Sequence, residues 1–307
     1  MLGGLLRKNG LEIGLDNYAP AALSYISHAH SDHVNGSKQI YSSPETFDLL
    51  QAMGKPVEHM GNGNEHNFSL HNAGHILGST QLAVETDGAK CVYTGDFKLV
   101  DGLTTKGAGI VECDTLMIES TYGLPEYVFP DREMVLGEMG KFAKSHADDI
   151  IIFGSYEVGK AQELIKFLNS HCSVVPVVNR KISKFCKTYE KHGVKLEYAE
   201  AGTSEAEELM KGGFSAVLPR KLINAEFKAM MEHAHHRKCY TAIATGWALK
   251  YSYGMDRMFA LSDHADFRQI CEYVEGSNAK KVICMHGYEE ELATNLRERG
   301  IDAHPFK

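Results

Sequence analysis

Near both ends of the chain, short apolar segments run directly into polar loops that contain histidine and aspartate. The segment LSYIS at residues 23–27 leads into His28, and RMFALSDHADF at residues 257–267 repeats this pattern close to the C-terminus, as does KKVICMHGYEE. Apolar runs of this length, bounded by turn residues, are typical of buried strands. From about residue 130 the pattern differs, because strands there alternate with helices. We therefore predict a first domain that is split by an insertion and resumes near residue 255.

The inserted segment alternates between apolar strands and amphipathic helices. DIIIFGS at residues 149–155 predicts a strand and GKAQELIKFLN at residues 159–169 predicts a helix, and SVVPVVN followed by KISKFCKTYEKHG repeats the pair. Such alternation is typical of a parallel sheet covered by helices. In the first third of the chain, TDGAK between QLAVE and CVYTG predicts a β-hairpin, since Asp-Gly is favoured in tight hairpin turns. The predicted fold class is therefore α/β.

Composition excludes several classes of protein. The hydrophobic content of 43% and the charged content of 23% are those of a globular protein. No apolar run reaches the roughly 18 residues of a membrane span, and the N-terminus is too short and polar for a secretion signal. We therefore expect no association with a membrane. Seven cysteines without a Cys-x-x-Cys pair favour reduced thiols and a cytoplasmic location. A net charge of −8 argues against indiscriminate binding of polyanions, although it permits a nucleic-acid substrate at a local site.

The segment SHAHSDHVNG carries the strongest chemical signal, since it places three histidines and one aspartate within six positions. One loop cannot surround a metal ion, so further ligands must come from other strand ends. Suitable residues occur in NAGHILGST, at the end of YTGD and in MHG. Five imidazoles and two carboxylates suit two zinc-class ions with a bridging carboxylate and an open position for water. The candidate ligands are His28, His30, Asp32, His33, His75, Asp96 and His286.

The spacing within this segment predicts how two ions would share it. Alternate residues that leave a strand point the same way, so the first two histidines are expected to bind one ion while the Asp-His pair turns towards a second. The first ion would be held by His28, His30 and His75, the second by Asp32, His33 and His286, with Asp96 bridging them. Two zinc ions are expected, with manganese as the alternative, and they would activate a water molecule near neutral pH. Asp16 is expected to fix the tautomer of one histidine.

Three further motifs resemble those of a known family. IESTYG at residues 118–123, LSDHADF and MHG are similar to motifs of the β-CASP group of nucleases, which have the metallo-β-lactamase fold. SYEVGKAQELI resembles the helix that opens the β-CASP domain, and the likeness is greatest to archaeal mRNA 3′-end processing factor-like proteins and ligase-associated exonucleases. The resemblance implies a metallo-β-lactamase αββα sandwich at residues 1–122 and 255–307, with an inserted α/β β-CASP domain at residues 123–254.

The resemblance also implies roles for individual residues. Glu119 matches the acidic residue of the first motif, and His264 matches the histidine of the second. In the family this histidine protonates the leaving oxygen, while the acidic residue orients it and favours its charged form. His286 matches the third motif, whose histidine binds metal. Asp32, Glu119 and His264 are therefore the expected catalytic residues.

The sequence favours a dinuclear zinc nuclease that acts on single-stranded RNA, because a histidine at the third motif is associated with RNA-directed members of the β-CASP group. A DNA exonuclease of the ligase-associated repair type is the alternative, while endonuclease or exonuclease action and homodimer formation stay open. A small-molecule hydrolase is disfavoured, because an acyl substrate needs neither the inserted domain nor the Glu119–His264 pair. An inactive RNA-binding scaffold is disfavoured because every expected ligand position is filled.

Contacts to a nucleic-acid strand are harder to assign. Lys160, Asn179, Arg180 and Lys181 lie near predicted strand or helix ends, where phosphates bind helix N-termini, but a solvated surface is the favoured interpretation for each. Tyr122 would either stack on a base or pack in the core. GSYEVGKAQE lacks the Gly-x-x-x-x-Gly-Lys-Ser/Thr spacing of a P-loop, so no ATP requirement is expected.

Overall fold

Two compact units make up the chain. The structure, a computed structural model, describes residues 4–8, 11–19, 21–34, 36–61, 63, 68–86 and 88–306. One unit comprises residues 1–128 together with 264–307, and the other comprises residues 129–263. The boundaries predicted from the sequence fall six residues earlier at the first crossing (122 against 128) and nine residues earlier at the second (254 against 263).

Within its described residues, the first unit contains two sheets and three helices. Its strands are β1 (Leu5–Lys8), β2 (Leu11–Leu15), β3 (Leu23–Tyr25), β4 (Gln39–Tyr41), β5 (Glu58–His59), β6 (Phe68–Asn72), β7 (Thr80–Thr86), β8 (Ala89–Tyr93), β9 (Thr115–Ser120), β16 (Lys281–Gly287) and β17 (Ala303–Pro305). Its helices are α1 (Pro44–Ala52), α7 (Phe267–Gly276) and α8 (Glu289–Glu298). One sheet has the strand order β1-β2-β3-β4-β5, and the other has the order β17-β16-β9-β8-β7-β6.

The two sheets of this unit enclose a shared apolar core. Leu15 and Tyr25 from the five-stranded sheet pack with Tyr93 and Met117 from the six-stranded sheet, and all four side chains are buried. A second core lies between the six-stranded sheet and helices α7 and α8, and α1 buries its own apolar face separately. Burial of apolar side chains on both faces of a sheet is the main force that holds such layers together. The predicted αββα sandwich is confirmed.

The six-stranded sheet determines where the polar loops of the first unit lie. Strands β16, β9 and β8 are parallel neighbours, so their C-terminal ends lie at the same edge of the sheet. Strands β7 and β8 are antiparallel and pair Thr86 with Ala89, which confirms the predicted hairpin. Asp87, part of the Asp-Gly pair on which that prediction rested, lies outside the described residues.

The second unit is a parallel sheet with helices. Its strands are β10 (Ile150–Ser155), β11 (Val177–Val178), β12 (Ala199–Glu200), β13 (Phe214–Pro219), β14 (Cys239–Ala244) and β15 (Arg257–Phe259). Its α helices are α2 (Arg132–Ser145), α3 (Lys160–Cys172), α4 (Arg180–Lys191), α5 (Ser204–Leu209) and α6 (Ala225–His235), and short 3₁₀ helices span Arg220–Leu222 and Gly246–Leu249. The strand order is β12-β11-β13-β10-β14-β15, with parallel pairing throughout. The predicted parallel α/β sheet is confirmed.

Two features of the second unit differ from the prediction. Strand β15 lies in the segment assigned to the first domain, yet it pairs with β14 and places Met258 beside Ile243. The helix predicted from SYEVGKAQELI is the second helix of this unit, because α2 precedes it. Helix α2 carries Gly137 and Gly140, which weaken its helical signal in the sequence. Its N-terminus is capped instead by Asp131, whose side chain accepts a hydrogen bond from a backbone N–H.

No helix within the described part of the chain is both long enough and apolar enough to cross a membrane.

Candidate metal centre

The predicted site residues of the first unit lie at the ends of its strands, in the loops that follow them, or just before α7. Those residues are His28, His30, Asp32 and His33 after β3, His75 between β6 and β7, Asp96 after β8, Glu119 in β9, His264 before α7, and His286 in β16. Their potential ligand atoms form three groups, and within each group all atoms lie within 4.8 Å of one another. The structure therefore brings all nine residues into groups of metal-binding geometry, although they span much of the sequence.

The first group consists of His28, His30, His75 and Asp96. Nδ1 of His30 lies 3.1 Å from Nε2 of His28 and 3.1 Å from Nε2 of His75. Oδ2 of Asp96 lies 3.5 Å from Nε2 of His28 and 3.7 Å from Nε2 of His75. Three ring nitrogens and one carboxylate oxygen thus converge, which is the donor set that zinc prefers.

The second group consists of Asp32, His33 and His286. His33 is buried, whereas Asp32 is exposed and His286 is half-buried. Nε2 of His33 lies 3.3 Å from Oδ2 of Asp96, so the carboxylate of Asp96 stands beside both groups. This position suits a bridging ligand.

Two buried atoms of the cluster support the presence of a cation. Among the described residues, Nε2 of His33 and Oδ1 of Asp96 are buried without a hydrogen-bond partner. Leaving a buried polar atom unpaired costs about 1–3 kcal/mol, more for a charged group. A metal ion would satisfy both atoms, and nitrogen and carboxylate donors are the ligands that zinc-class ions take. The residues therefore fit the implied metal.

Asp16 orients His33 of the second group through a hydrogen bond. Its Oδ2 atom accepts hydrogen bonds from Tyr93 at 2.6 Å, Ser27 Oγ at 2.7 Å and His33 Nδ1 at 2.8 Å, and its Oδ1 accepts one from the Ser27 backbone at 2.6 Å. Because an ionised carboxylate only accepts, Nδ1 of His33 must carry the proton. Nε2 of His33 then presents its lone pair towards the cluster, as the sequence predicted for one histidine near Asp16.

Ser27 fixes the orientation of His28 in the same way. The single hydroxyl proton of Ser27 is donated to Asp16, so its oxygen accepts from Nδ1 of His28 at a distance of 3.0 Å. Nε2 of His28 is therefore the atom that faces the other ligands. Ser27 is a site residue that the sequence did not identify, because serine next to a histidine carries no spacing signal. Gly95 leaves room for it, since a Cβ atom there would lie 2.7 Å from Cβ of Ser27.

Electrostatics of the cluster favour an ionised Asp96, a neutral His28 and a protonated His33. Burial lowers the pKa of His28 well below its ordinary value. Burial alone would raise the pKa of Asp96, but the neighbouring imidazoles of His33 and His264 lower it well below the ordinary value. Burial opposes the charged form of His33, yet the carboxylates of Asp96 and Asp16 raise its pKa well above the ordinary value. A proton and a cation would therefore compete at Nε2 of His33.

The third group pairs the two residues expected to handle a proton. Oε2 of Glu119 lies 2.9 Å from Nδ1 of His264, and Oε1 of Glu119 accepts a hydrogen bond of 2.7 Å from the Phe97 backbone. The Glu119 side chain is 2% exposed and that of His264 is 21% exposed, so the pair joins the protein interior to solvent. Nδ1 of His264 also lies 3.8 Å from Oδ2 of Asp96, which makes these three residues a further potential metal group.

The backbone at His286 is unusual. Its φ angle is 57°, in the left-handed region, where β16 has a register irregularity between Met285 and Gly287. The His286 N–H donates a 2.8 Å hydrogen bond to Oε1 of Glu289 at the start of α8. Glu289 is a second residue that the sequence did not identify, and it holds the His286 loop in this conformation.

Several residues considered for nucleic-acid contact have other roles. Lys160 is buried and donates 3.0 Å hydrogen bonds to the Leu261 carbonyl and to Oδ1 of Asp263, so the interpretation as solvated surface is wrong for it. Asn179 caps α4 by accepting a hydrogen bond from the Ile182 backbone.

Arg180 is exposed, and Nζ of Lys181 lies 2.6 Å from Oε2 of Glu157. Tyr122 is 2% exposed and packs edge-to-face against Tyr127, so core packing is the correct alternative for this residue.

The chain is similar to known families and proteins. Residues 255–305 match the family model described as Zn-dependent metallo-hydrolase RNA specificity domain. A probable DNA ligase of Opitutus terrae is 34% identical over 308 residues, covering 94% of this chain and 29% of that protein. An RNase J-like protein of Methanocaldococcus jannaschii is 29% identical over 182 residues, covering 48% of this chain and 43% of the relative. The chain thus spans less than half the length of either relative.

A solved structure shares the fold. The crystal structure of a protein of unknown function from Enterococcus faecalis V583 superposes with a TM-score of 0.60, over 88% of this chain and 76% of that one. The two chains are 16% identical, so this likeness concerns the fold alone.

Proposed function

We propose that this chain, which belongs to the β-CASP group of the metallo-β-lactamase fold, is a dinuclear zinc nuclease that hydrolyses phosphodiester bonds in single-stranded RNA. The observation that carries the proposal is the position of Asp96, whose carboxylate stands beside two groups of imidazole ligands and near the Glu119–His264 pair. Phosphodiester hydrolysis needs a nucleophile, neutralisation of phosphoryl charge and an acid for the leaving oxygen. These residues are suited to all three tasks.

Two sets of ligands would hold the metal. One ion is assigned to His28, His30 and His75 and the other to Asp32, His33 and His286, with Asp96 shared. When bound, zinc-class ions supply a nucleophile from water near neutral pH and neutralise charge on the phosphoryl oxygens. Zinc suits the mixed nitrogen and carboxylate donors better than manganese, which prefers oxygen ligands.

His264 is the proposed general acid. Its Nδ1 atom is held 2.9 Å from Glu119, so Nε2 is the ring nitrogen that would give a proton to the departing oxygen. The buried carboxylate of Glu119 orients the ring and favours its protonated form. Glu119 therefore acts through His264 as a positioning residue, and it stays in place because the Phe97 N–H binds its other oxygen.

RNA is the favoured substrate, and DNA is the second candidate. The matched family model is described as an RNA specificity domain and covers His264 and His286. One similar protein is named as RNase J-like. The match over 94% of this chain to a probable DNA ligase is the observation that favours a DNA exonuclease of the ligase-associated type.

Cleavage of matched substrates tests the proposal. End-labelled single-stranded RNA and DNA of the same sequence would be incubated with the chain, with added zinc, with added manganese or with neither, beside an Asp96→Ala control. We expect zinc-dependent cutting of RNA that the control lacks, and a ladder or mononucleotide products would distinguish endonuclease from exonuclease action. Preferential degradation of DNA would favour the second candidate. Absence of any cleavage sensitive to Asp96→Ala would contradict both.

A further inference from the structure

One edge of the parallel sheet in the second unit presents aromatic and cationic side chains. Strand β10 ends at Ser155 and is followed by Tyr156, and β13 ends at Pro219 and is followed by Arg220. Strand β14, the other neighbour of β10, leads into the loop that carries Tyr253. Because these strands are parallel, all three loops lie at the C-terminal edge of the sheet, where open α/β sheets commonly bind their ligands.

Tyr156 is unusually exposed for a large aromatic residue. Its side chain is 77% exposed, and Tyr251 in the loop after β14 is 46% exposed. With most of its surface in water at a strand end, the Tyr156 ring buries little apolar area within the unit. An exposed ring face of this kind is suited to stacking on a planar ligand.

Arg220 and Tyr253 already form one stacked pair at this edge. The guanidinium carbon of Arg220 lies 4.6 Å from the centroid of the Tyr253 ring. Ser155 pairs with Pro219 in the parallel register of β10 and β13, so Tyr156 and Arg220 each follow directly on one of two paired residues. Partial burial and the phenol of Tyr156 raise the pKa of Tyr253, while Arg220 lowers it. Arg220 supplies positive charge at this edge, together with the exposed Lys221.

A glycine in β10 permits this arrangement. A Cβ atom at Gly154 would lie 3.1 Å from Ile223 and 3.5 Å from Arg220, so any larger residue there would press against the turn that carries Arg220. The turn at Arg220–Leu222 therefore packs closely against the strand that presents Tyr156.

We infer that Tyr156, Tyr253 and Arg220 form a platform on which bases of single-stranded nucleic acid stack. The inference deepens the proposed function, since it names a binding surface for the same substrate. Aromatic faces that accept bases beside arginine or lysine side chains that attract phosphates are the combination by which proteins bind single strands without reading sequence. Stacking involves the base and not the sugar, so the platform is expected to bind RNA and DNA alike. Discrimination between them must come from other residues.

Binding measurements on single variants test the platform. Fluorescence anisotropy would follow a labelled 12-nucleotide single strand, as RNA and as DNA, with the full chain in a His264→Ala background, and gels would verify that the strand stays intact. Tyr156→Ala is expected to weaken binding of both strands roughly tenfold, within the range that one stacked base contributes. Tyr156→Phe keeps the ring and is expected to bind within about twofold of the parent. An abasic strand should bind weakly, and its affinity should be the same for the parent and for the Tyr156→Ala variant.

Matched controls separate this inference from the proposed function. Met134→Ala removes a side chain that is 63% exposed on α2 of the same unit, and it should leave binding unchanged. If Tyr156→Ala and Tyr253→Ala bind the strands as tightly as the parent does, the platform is overturned and a protein becomes the alternative partner for this edge. The nuclease proposal would still stand. If Tyr156→Ala weakened binding of the abasic strand as much as binding of the normal strand, the platform would also be overturned. No binding of either strand by the parent would overturn both proposals.

Discussion

Strand ends serve opposite purposes in the two units. In the first unit, loops after β3 and β8 carry polar side chains that are removed from water, such as His28, His33 and Asp96. In the second unit, loops after β10 and β13 carry side chains that remain in water, such as Tyr156 and Arg220. Buried polar atoms must find a partner, whereas exposed rings carry no such requirement.

The difference teaches where substitutions should affect folding and where they should affect binding alone. Each member of the buried cluster contacts several others, so replacing one leaves a neighbour unpaired. At the exposed edge a truncated ring leaves water in its place, which costs little stability. Four predictions test this contrast, beginning with the largest expected effect.

Replacing His75 by alanine should remove metal and activity together. The substitution removes one of the three ring nitrogens of the first group, and His30 would lose its contact at 3.1 Å. Zinc content by mass spectrometry should fall by at least one ion per chain, and nuclease activity should fall below detection. His71→Ala, on the neighbouring strand β6, is the matched control and should retain both. Full zinc content in the His75 variant would show that the first group is not a ligand set.

Replacing His264 by alanine should slow cleavage about 10²–10⁴-fold, the usual contribution of a general acid. Metal content should be unchanged, because the seven assigned ligands remain. His304→Ala removes an exposed imidazole from β17 and should leave the rate unaltered. If the His264 and His75 variants lost metal equally, His264 would belong to the third potential metal group and the assigned acid would be wrong.

Replacing Asp16 by asparagine should weaken zinc affinity about 10–100-fold, as removal of a residue that orients a ligand generally does. Asparagine is nearly isosteric, so the loss would reflect the hydrogen bonds of Asp16 to His33 and to Ser27, which orients His28, and not the packing around them. Competition with a chelator of known affinity would measure the change. Asp101→Asn, which removes an exposed carboxylate beside Lys106, is expected to have no effect. Unchanged affinity in the Asp16 variant would mean that His33 keeps its orientation without the carboxylate.

Replacing Asp256 by asparagine should have the smallest effect of the four, a loss of stability that is confined to the second unit. Oδ2 of Asp256 accepts hydrogen bonds from the backbone and hydroxyl of Thr241, and Lys228 lies 2.7 Å away, so the residue anchors the loop that carries Tyr253. Because the side chain is 35% exposed, solvent screening limits the expected loss to about 1 kcal/mol of unfolding free energy. Zinc content should not change.

The effect of Asp256 should depend on pH in one direction. Partial burial opposes ionisation of Asp256, but Lys228 and Thr241 lower its pKa below the ordinary value of 3.8. Its contribution is therefore complete above that ordinary value and disappears as the pH falls through the lowered pKa. Melting temperatures of the parent and Asp256→Asn should differ at neutral pH and converge in acid. A difference that grew in acid would contradict the direction of this shift.

Local patterns in the sequence predicted the parts of the molecule that local chemistry determines. The alternation of strands and helices indicated the parallel sheet, and the spacing in SHAHSDHVNG indicated which residues converge. The bond between Asp16 and His33 was foreseeable because a ligand histidine needs a partner for its second nitrogen.

What the sequence did not predict depends on partners that are distant along the chain. Burial of Lys160 requires Asp263, which is 103 positions away, and neither residue signals the other. Strand β15 continues the sheet of the second unit although its sequence, an apolar run that leads to His264, resembles the strands of the first. The pairing of Arg220 with Tyr253 likewise follows from the strand order and not from any motif.

The left-handed backbone at His286 lowers the stability of the fold, although the same residue belongs to the candidate metal centre. A residue other than glycine or asparagine in this conformation is destabilised by about 1–2 kcal/mol. Random mutagenesis followed by selection for heat resistance alone should therefore enrich glycine or asparagine at position 286. Selection for catalysis should restore the histidine each time.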